Sequence, residues 1–141
     1  MKILTSDAVI AGTGMLKDWR LLFRQFATIK KCKGFSVPVL VWKISEQHEK
    51  NLDRYEGYPR FYVKKNLTLA ITSLDGQDLG EITAMVYIMT KKATEARSMK
   101  PLPSKYYYSV LDTGYKIFGF DGKILNEAVM EAFGQTQPHS S

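Results

Sequence analysis

The sequence predicts a single α+β domain in which strands come first and helices come late. The chain has 141 residues, a length at which one domain buries enough apolar surface to fold unaided. Short β-branched or alternating apolar segments recur through residues 8–89, whereas apolar residues at helical spacing dominate residues 104–133. No internal repeat and no linker interrupt the chain. We therefore expect residues 1–133 to form one domain with an antiparallel or mixed sheet, which could close into a small barrel, followed by a polar tail over residues 134–141.

The first third of the chain is interpreted mainly as strands. Residues 8–14 suggest a short strand that ends in a glycine turn, and Trp19–Phe26 is an aromatic and aliphatic run most simply explained as a strand. The lysine-rich residues 27–36 are expected to form a polar loop. Val37–Ile44 is rich in β-branched residues and predicts another strand.

A short helix is predicted next. Ser45 is a good N-cap, and two glutamates follow in the first turn, where acidic side chains are favoured. The helix should run to about Tyr55, with Leu52 and Tyr55 facing inward, and Gly57 should end it.

A β-hairpin and a long connection follow this helix. Alternating apolar residues predict strands over Phe61–Ile71 and Ile82–Met89, joined by a turn at Asp75-Gly76. Residues 90–103 are polar and end in two prolines. A connection of this length suits a lid or binding loop as well as an ordinary surface loop.

Two helices are predicted at the C-terminal end. Ser104 is an N-cap candidate, and the residues from Tyr107 to Phe118 place apolar side chains at helical spacing before Gly119. Residues 123–133 carry a second amphipathic pattern. We expect both helices to pack around the sheet.

Composition argues against several classes of protein. No run approaches the ~20 apolar residues that span a bilayer, so we expect no membrane partner, and Asp7 comes too early for the apolar core of a signal peptide. Cys32 is the single cysteine and cannot form an internal disulfide, which favours a reducing compartment, by default the cytoplasm. Two histidines and Cys32 offer no spaced ligand set, so we expect no metal site and no cofactor.

The net charge of +6 is unevenly distributed. Residues 1–66 carry 13 Lys and Arg against 6 Asp and Glu, a net +7, whereas residues 67–141 carry 7 against 8, a net −1. The basic runs at 30–33, 64–65 and 91–92 are short, and no aromatic-rich RNA-binding motif accompanies them. An asymmetry of this kind can indicate nucleic acid or an anionic small molecule as ligand. The simplest interpretation is a solvated basic face, and we expect no nucleic-acid partner.

Glu56 is the first candidate for a chemical role. It falls at the carboxyl end of its predicted helix, where unpaired carbonyl groups disfavour an ionised carboxylate. Asp53, one turn earlier, adds repulsion between like charges. A carboxylate with a raised pKa, flanked by tyrosines, could act as a general base, although a solvated glutamate at a helix end explains the same residues.

The residues around Glu56 also resemble a known family. The string Leu52-Asp53-Arg54-Tyr55-Glu56-Gly57, a following strand that begins Phe61-Tyr62, a later Ala84-Met85-Val86-Tyr87 strand and Pro103-Ser104-x-x-Tyr107 are similar to the gamma-glutamylcyclotransferase-like family. The earlier Gly14-Met15-Leu16-Lys17-Asp18-Trp19-Arg20-Leu21 resembles a strand of the same family. The order and spacing of these segments carry the resemblance from about residue 8 to residue 130.

The resemblance implies a fold and a reaction. The fold would be a small mixed, mostly antiparallel β-barrel with helices packed around it. The reaction would be an intramolecular aminolysis, in which the α-amine of a γ-glutamyl group attacks its own γ-carbonyl and yields 5-oxoproline and a free amine or amino acid. By the same resemblance Glu56 matches the essential acid and base, and Tyr62 and Tyr107 match tyrosines that line the substrate pocket. Core or rim packing explains the two tyrosines equally well.

One family feature has no counterpart in this sequence. Members open with a strand and a Tyr-Gly-Ser-Asn loop whose backbone amides grip the substrate carboxylate, and this chain contains no such string. Three explanations compete: a start placed too far downstream, strand donation from a second subunit, or a relative without catalysis. The alternative to an enzyme is therefore a catalytically silent barrel that binds a small anion or a protein partner. An exposed sheet edge would favour a homodimer.

Overall fold

The computed structural model describes residues 9–96 and 99–135. In chain order the elements are strand β1 (Val9–Arg24), strand β2 (Phe26–Lys43), helix α1 (Glu46–Glu56), strand β3 (Tyr62–Thr72), strand β4 (Asp78–Met89), the one-turn helix α2 (Lys91–Thr94), helix α3 (Lys105–Ile117) and helix α4 (Gly122–Gly134). The predicted α+β class, with strands first and helices late, is confirmed. The predicted tail begins inside α4 at Gly134, and residues 136–141 lie outside the described part.

Strands β1 and β2 form a long antiparallel hairpin, so the predicted loop over residues 27–36 is wrong. Residues 27–31 pair with residues 19–23 of β1. A bulge interrupts the ladder at Asp18, which has φ 65° and accepts a hydrogen bond from the backbone N–H of Gly34 at 3.1 Å. The lysine-rich composition misled the prediction because lysine side chains on the solvent face of a strand leave backbone pairing intact.

The predicted glycine turn near residue 12 is also wrong, because Gly12 and Gly14 lie inside β1. Strand β3 crosses β1 at this point, and their pairing is confined to Thr13 with Thr72 and Gly14 with Ile71. A Cβ atom added to Gly12 would overlap the carbonyl oxygen of Thr72 and lie 3.1 Å from its carbonyl carbon. The glycines therefore allow the close backbone approach that joins the two hairpins.

Strands β3 and β4 form the predicted second hairpin, with Asp75-Gly76 in its turn. The apolar alternation in β3 matches burial at Leu69 and Ile71, which are buried. It does not match burial at the start of the strand, where Val63 is exposed and Tyr62 is buried. The reason is tertiary, because Tyr62 packs against the end of β4 and against α2.

The four strands form one antiparallel sheet in the order β2-β1-β3-β4. Within the described residues the sheet is not closed, so the expected barrel is at most a loose description, and every pairing is antiparallel rather than mixed. The outer strands nevertheless meet at one point, where the backbone N–H of Met89 in β4 donates to Thr28 Oγ1 in β2 at 2.9 Å.

Helix α1 has the ends that the sequence predicts. Ser45 Oγ accepts a hydrogen bond from the backbone N–H of His48 at 3.2 Å, and Gly57 ends the helix with φ 71°. The predicted inward position of Tyr55 is wrong, since its side chain is 57% exposed, whereas His48 is buried. The other residue predicted to face inward, Leu52, is partly buried one turn after His48, so the covered face of the helix passes through His48 and Leu52 and leaves Tyr55 outside.

The two C-terminal helices also lie where the sequence places them. Ser104 Oγ accepts a hydrogen bond from the backbone N–H of Tyr107 at 3.1 Å and so caps α3. Helix α4 buries Leu125, Ala128 and Ala132 in the core formed with β1. Phe23 of β1 and Leu125 are fully buried and belong to this same core, so burial of apolar surface holds α4 on the sheet.

Candidate active site

Glu56 is the last residue of α1 and is partly buried. Burial raises the pKa of its carboxyl group above the ordinary value. The direction agrees with the prediction from sequence, but burial is the cause, in place of the expected repulsion from Asp53. A carboxyl group of this kind exchanges a proton more readily near neutral pH than an exposed glutamate does.

Asp53 is engaged in a separate cluster that ties α1 to the sheet. Lys64 Nζ donates to Glu49 Oε2 at 2.6 Å and to Asp53 Oδ2 at 2.9 Å, and the Tyr87 hydroxyl donates to Asp53 Oδ1 at 2.5 Å. Burial alone would raise the pKa of Asp53, but the hydrogen bonds from Tyr87 and Lys64 lower it overall. Asp53 therefore stays ionised and holds the helix that carries Glu56.

Tyr62 is the first residue of β3 and only 8% exposed. Its hydroxyl donates a hydrogen bond to the backbone carbonyl of Ala27 at 3.3 Å. The ring packs with Met89 and Ala93. The position of Tyr62 at the beginning of β3 thus places its hydroxyl group against the outer edge of β2.

Tyr107 approaches the same point from α3. Its hydroxyl oxygen accepts a hydrogen bond from the backbone N–H of Ala27 at 3.1 Å. The ring makes edge-to-face contacts with Phe26 and Phe23, with centroids 5.5 and 6.4 Å away. Tyr107 is therefore held by aromatic packing and by one backbone contact.

The structure brings two of the three residues singled out from the sequence together, because the hydroxyls of Tyr62 and Tyr107 meet at the backbone of Ala27. Burial raises the pKa of both tyrosines, and the negative charge of Glu56 raises them further. The neighbourhood combines a carboxyl group suited to proton transfer with two protonated phenols that can bind a polar ligand.

Four residues of this region escaped prediction from the sequence. Ala27 and Thr28 were assigned to a polar loop, and nothing in their side chains signals that their polar groups lie at an open sheet edge. Lys64 and Tyr87 left a weak signal. They pair across β3 and β4, and Lys64 lies two residues after Tyr62, hence on the same strand face.

No metal-binding group of three His, Cys, Asp or Glu side chains occurs in the described part of the chain. Among the described helices, none is both long and apolar enough to cross a membrane.

Comparison with known proteins identifies the class that this fold and neighbourhood define. The family model "Gamma-glutamyl cyclotransferase, AIG2-like" matches residues 1–109. The chain belongs to the gamma-glutamyl cyclotransferase, AIG2-like family. A search of curated proteins found no match.

Two solved structures have a similar fold. A crystal structure of an uncharacterized protein from Homo sapiens matches with a TM-score of 0.64 and 23% identity, over 96% of this chain and 78% of that one. A structure described as gamma-glutamyl cyclotransferase matches with a TM-score of 0.63 and 22% identity, over 96% of this chain and 78% of the other. At these identities the likeness extends to the fold alone.

Proposed function

We propose that this protein cyclises the γ-glutamyl group of a small molecule to 5-oxoproline and releases an amine or amino acid. The observation that carries the proposal is the meeting of the Tyr62 and Tyr107 hydroxyls at Ala27, with the partly buried Glu56 at the end of α1, in a member of this family. No cofactor is needed, because the reaction exchanges one amide bond for another.

Glu56 is the acid and base in the proposed reaction. It takes a proton from the α-ammonium of the substrate, and the resulting amine attacks the γ-carbonyl carbon. The new C–N bond closes a five-membered ring, and Glu56 delivers the proton to the leaving nitrogen as the old C–N bond breaks. The ring nitrogen gives up a second proton and the released amine takes one up, so the ammonium of the substrate is replaced by the ammonium of the product. The raised pKa of Glu56 suits both transfers, since it brings the carboxyl group closer to the pH at which it must gain and lose a proton.

Tyr62 and Tyr107 bind the substrate in the proposed reaction. Ring closure is slow unless the flexible chain is held with its amine near the γ-carbonyl, so orientation supplies part of the rate. Both rings are fixed by packing, Tyr62 against Met89 and Ala93 and Tyr107 against two phenylalanines. Rigid hydroxyl groups lose little freedom when they bind a ligand.

The test is release of 5-oxoproline from a panel of γ-glutamyl peptides and amines. We expect turnover by the wild type and a loss of at least about 100-fold in Glu56→Gln, which keeps the shape of the side chain but cannot accept the proton. Glu46→Gln is the matched control, because Glu46 is exposed in the first turn of the same helix. It should retain activity.

Two results would contradict the proposal. One is a folded wild type that releases no 5-oxoproline from any member of the panel. The other is equal activity of Glu56→Gln and Glu46→Gln. Thermal stabilisation by γ-glutamyl ligands without turnover would instead favour a catalytically silent member of the family that binds a small anion.

A further inference from the structure

The backbone of Ala27 connects the two tyrosines of the site. Its N–H donates to the Tyr107 hydroxyl oxygen at 3.1 Å, and its carbonyl accepts from the Tyr62 hydroxyl at 3.3 Å. Ala27 pairs with Phe23 of β1, and both of its polar groups turn the other way, toward the open edge of β2. A single residue therefore anchors both hydroxyls.

The direction of each hydrogen bond follows from the chemistry of the backbone. A backbone N–H can only donate, so Tyr107 uses an oxygen lone pair toward Ala27 and its own proton remains available. A backbone carbonyl can only accept, so Tyr62 uses its proton toward Ala27 and its oxygen lone pairs remain available. Two residues of the same type thus offer a ligand opposite hydrogen-bonding capacity.

The two hydroxyl groups keep this arrangement across the neutral range. Burial, and after it the charge of Glu56, holds the pKa of Tyr62 well above its usual value, and burial also raises that of Tyr107. Each phenol therefore retains one proton. The rings cannot swap roles, because Tyr62 is packed with Met89 and Ala93, and Tyr107 is packed against Phe23 and Phe26.

We propose that the Ala27 backbone gives the two tyrosine hydroxyls opposite roles toward the ligand. The Tyr62 oxygen accepts a hydrogen bond from a ligand ammonium, and the Tyr107 hydroxyl donates one to a ligand carboxylate or carbonyl oxygen. The negative charge of Glu56, which acts on both hydroxyls, favours a ligand that carries a cationic group. The identity of the ligand as a γ-glutamyl compound rests on the proposed function, whereas the opposite polarity of the two hydroxyls does not.

Two probes that differ in one group test this assignment. The first is γ-glutamyl methylamide, and the second is glutaric acid monomethylamide, which has hydrogen in place of the α-ammonium and keeps both acceptors. Binding is measured by calorimetry in the Glu56→Gln background, so that neither probe is consumed. A hydrogen bond to a charged group contributes enough to change the dissociation constant about tenfold or more.

The two tyrosine variants should respond differently. In Tyr62→Phe, γ-glutamyl methylamide should bind about tenfold more weakly, while the probe without ammonium changes by less than about twofold. In Tyr107→Phe, both probes should weaken by a similar factor. Tyr108→Phe is the control, since Tyr108 packs on Phe23 from the adjacent position with ring centroids 6.3 Å apart. It should leave both affinities unchanged.

Tyr107→Phe leaves the Ala27 N–H without its partner and could fail to fold. In that case the comparison of the two probes in Tyr62→Phe still tests the polarity assignment. Equal weakening of both probes in Tyr62→Phe would overturn the polarity assignment. Binding of neither probe to the Glu56→Gln protein would overturn the assignment of these hydroxyls to a γ-glutamyl ligand. Activity of the wild type is measured separately. If the wild type releases no 5-oxoproline but Tyr62→Phe still weakens binding of only the ammonium-bearing probe, the proposed function is wrong and the polarity assignment is supported.

Discussion

The crossing of β1 and β3 yields the sharpest stability prediction. Only two residue pairs join the strands there, and Gly12 lies where any side chain would meet the backbone of Thr72. We expect Gly12→Ala to separate the strands and to weaken the pairing of β1 with β3, which joins the two hairpins. The obstacle is a carbonyl group in a paired strand, which cannot rotate aside as a flexible side chain could.

The size of the effect follows from the geometry. The added methyl would overlap the Thr72 oxygen and lie 3.1 Å from its carbon, closer than ordinary van der Waals contact allows. Overpacking of this kind costs about 1–3 kcal/mol, and a backbone obstacle favours the upper half of that range. For a chain of this length, 2–3 kcal/mol corresponds to a fall in Tm of roughly 8–12 °C.

Thermal and urea unfolding of two glycine variants measure this cost. Gly114→Ala is the control, because Gly114 lies inside α3 and a Cβ there meets nothing within 4 Å. Alanine should raise the stability of that helix by about 0.5–1 kcal/mol. An unchanged Tm for Gly12→Ala, or equal losses in the two variants, would refute the steric reasoning.

Three further predictions concern the core and two charged clusters. Leu125→Ala should cost about 3 kcal/mol in urea unfolding, since Leu125 is fully buried; a loss below about 1 kcal/mol would contradict the packing. Arg24 holds Glu131 through two hydrogen bonds of 2.7 and 2.9 Å, which lower the pKa of Glu131. The native state therefore gains stability above the ordinary carboxyl pKa and loses it as the pH falls through the lowered value. Arg24→Met should cost about 1–2 kcal/mol at pH 7 and much less near pH 3, and an equal cost at both pH values would count against it. Asp53 accepts hydrogen bonds from Lys64 and Tyr87, so removal of the Lys64 donor in Lys64→Met should raise the pKa of Asp53 in an NMR titration. An unchanged pKa would contradict a contribution from Lys64.

Local signals in the sequence predicted helices α1, α3 and α4, whereas the one-turn helix α2 lies in a segment expected to be a connection. Ser45, Ser104 and Gly57 act within one turn of chain, where the cap residue and the groups that it satisfies are close in sequence. The Asp75-Gly76 turn was predictable for the same reason. In each case the hydrogen-bonding partner lies within four residues, so neighbouring residues suffice to predict the structure.

Non-local pairing accounts for the errors. Residues 27–36 are polar enough for a loop, and only their pairing with β1 makes them a strand. Tyr55 and Val63 have apolar side chains that could face either way, and the packing of α1 and α2 on the sheet leaves both exposed. The sequence pattern does not encode which face a distant element covers.

The features of the candidate site also separate into those that depend on local sequence and those that depend on tertiary contacts. The sequence by itself determined the family resemblance, the position of Glu56 at a helix end and the choice of Tyr62 and Tyr107, because these depend on residue identity and short-range order. Only the tertiary structure decided that the backbone of Ala27 lies between the two tyrosines and that Lys64 and Tyr87 engage Asp53. Those contacts join residues 11 to 80 positions apart, and their direction depends on which backbone groups the sheet leaves unpaired at its edge.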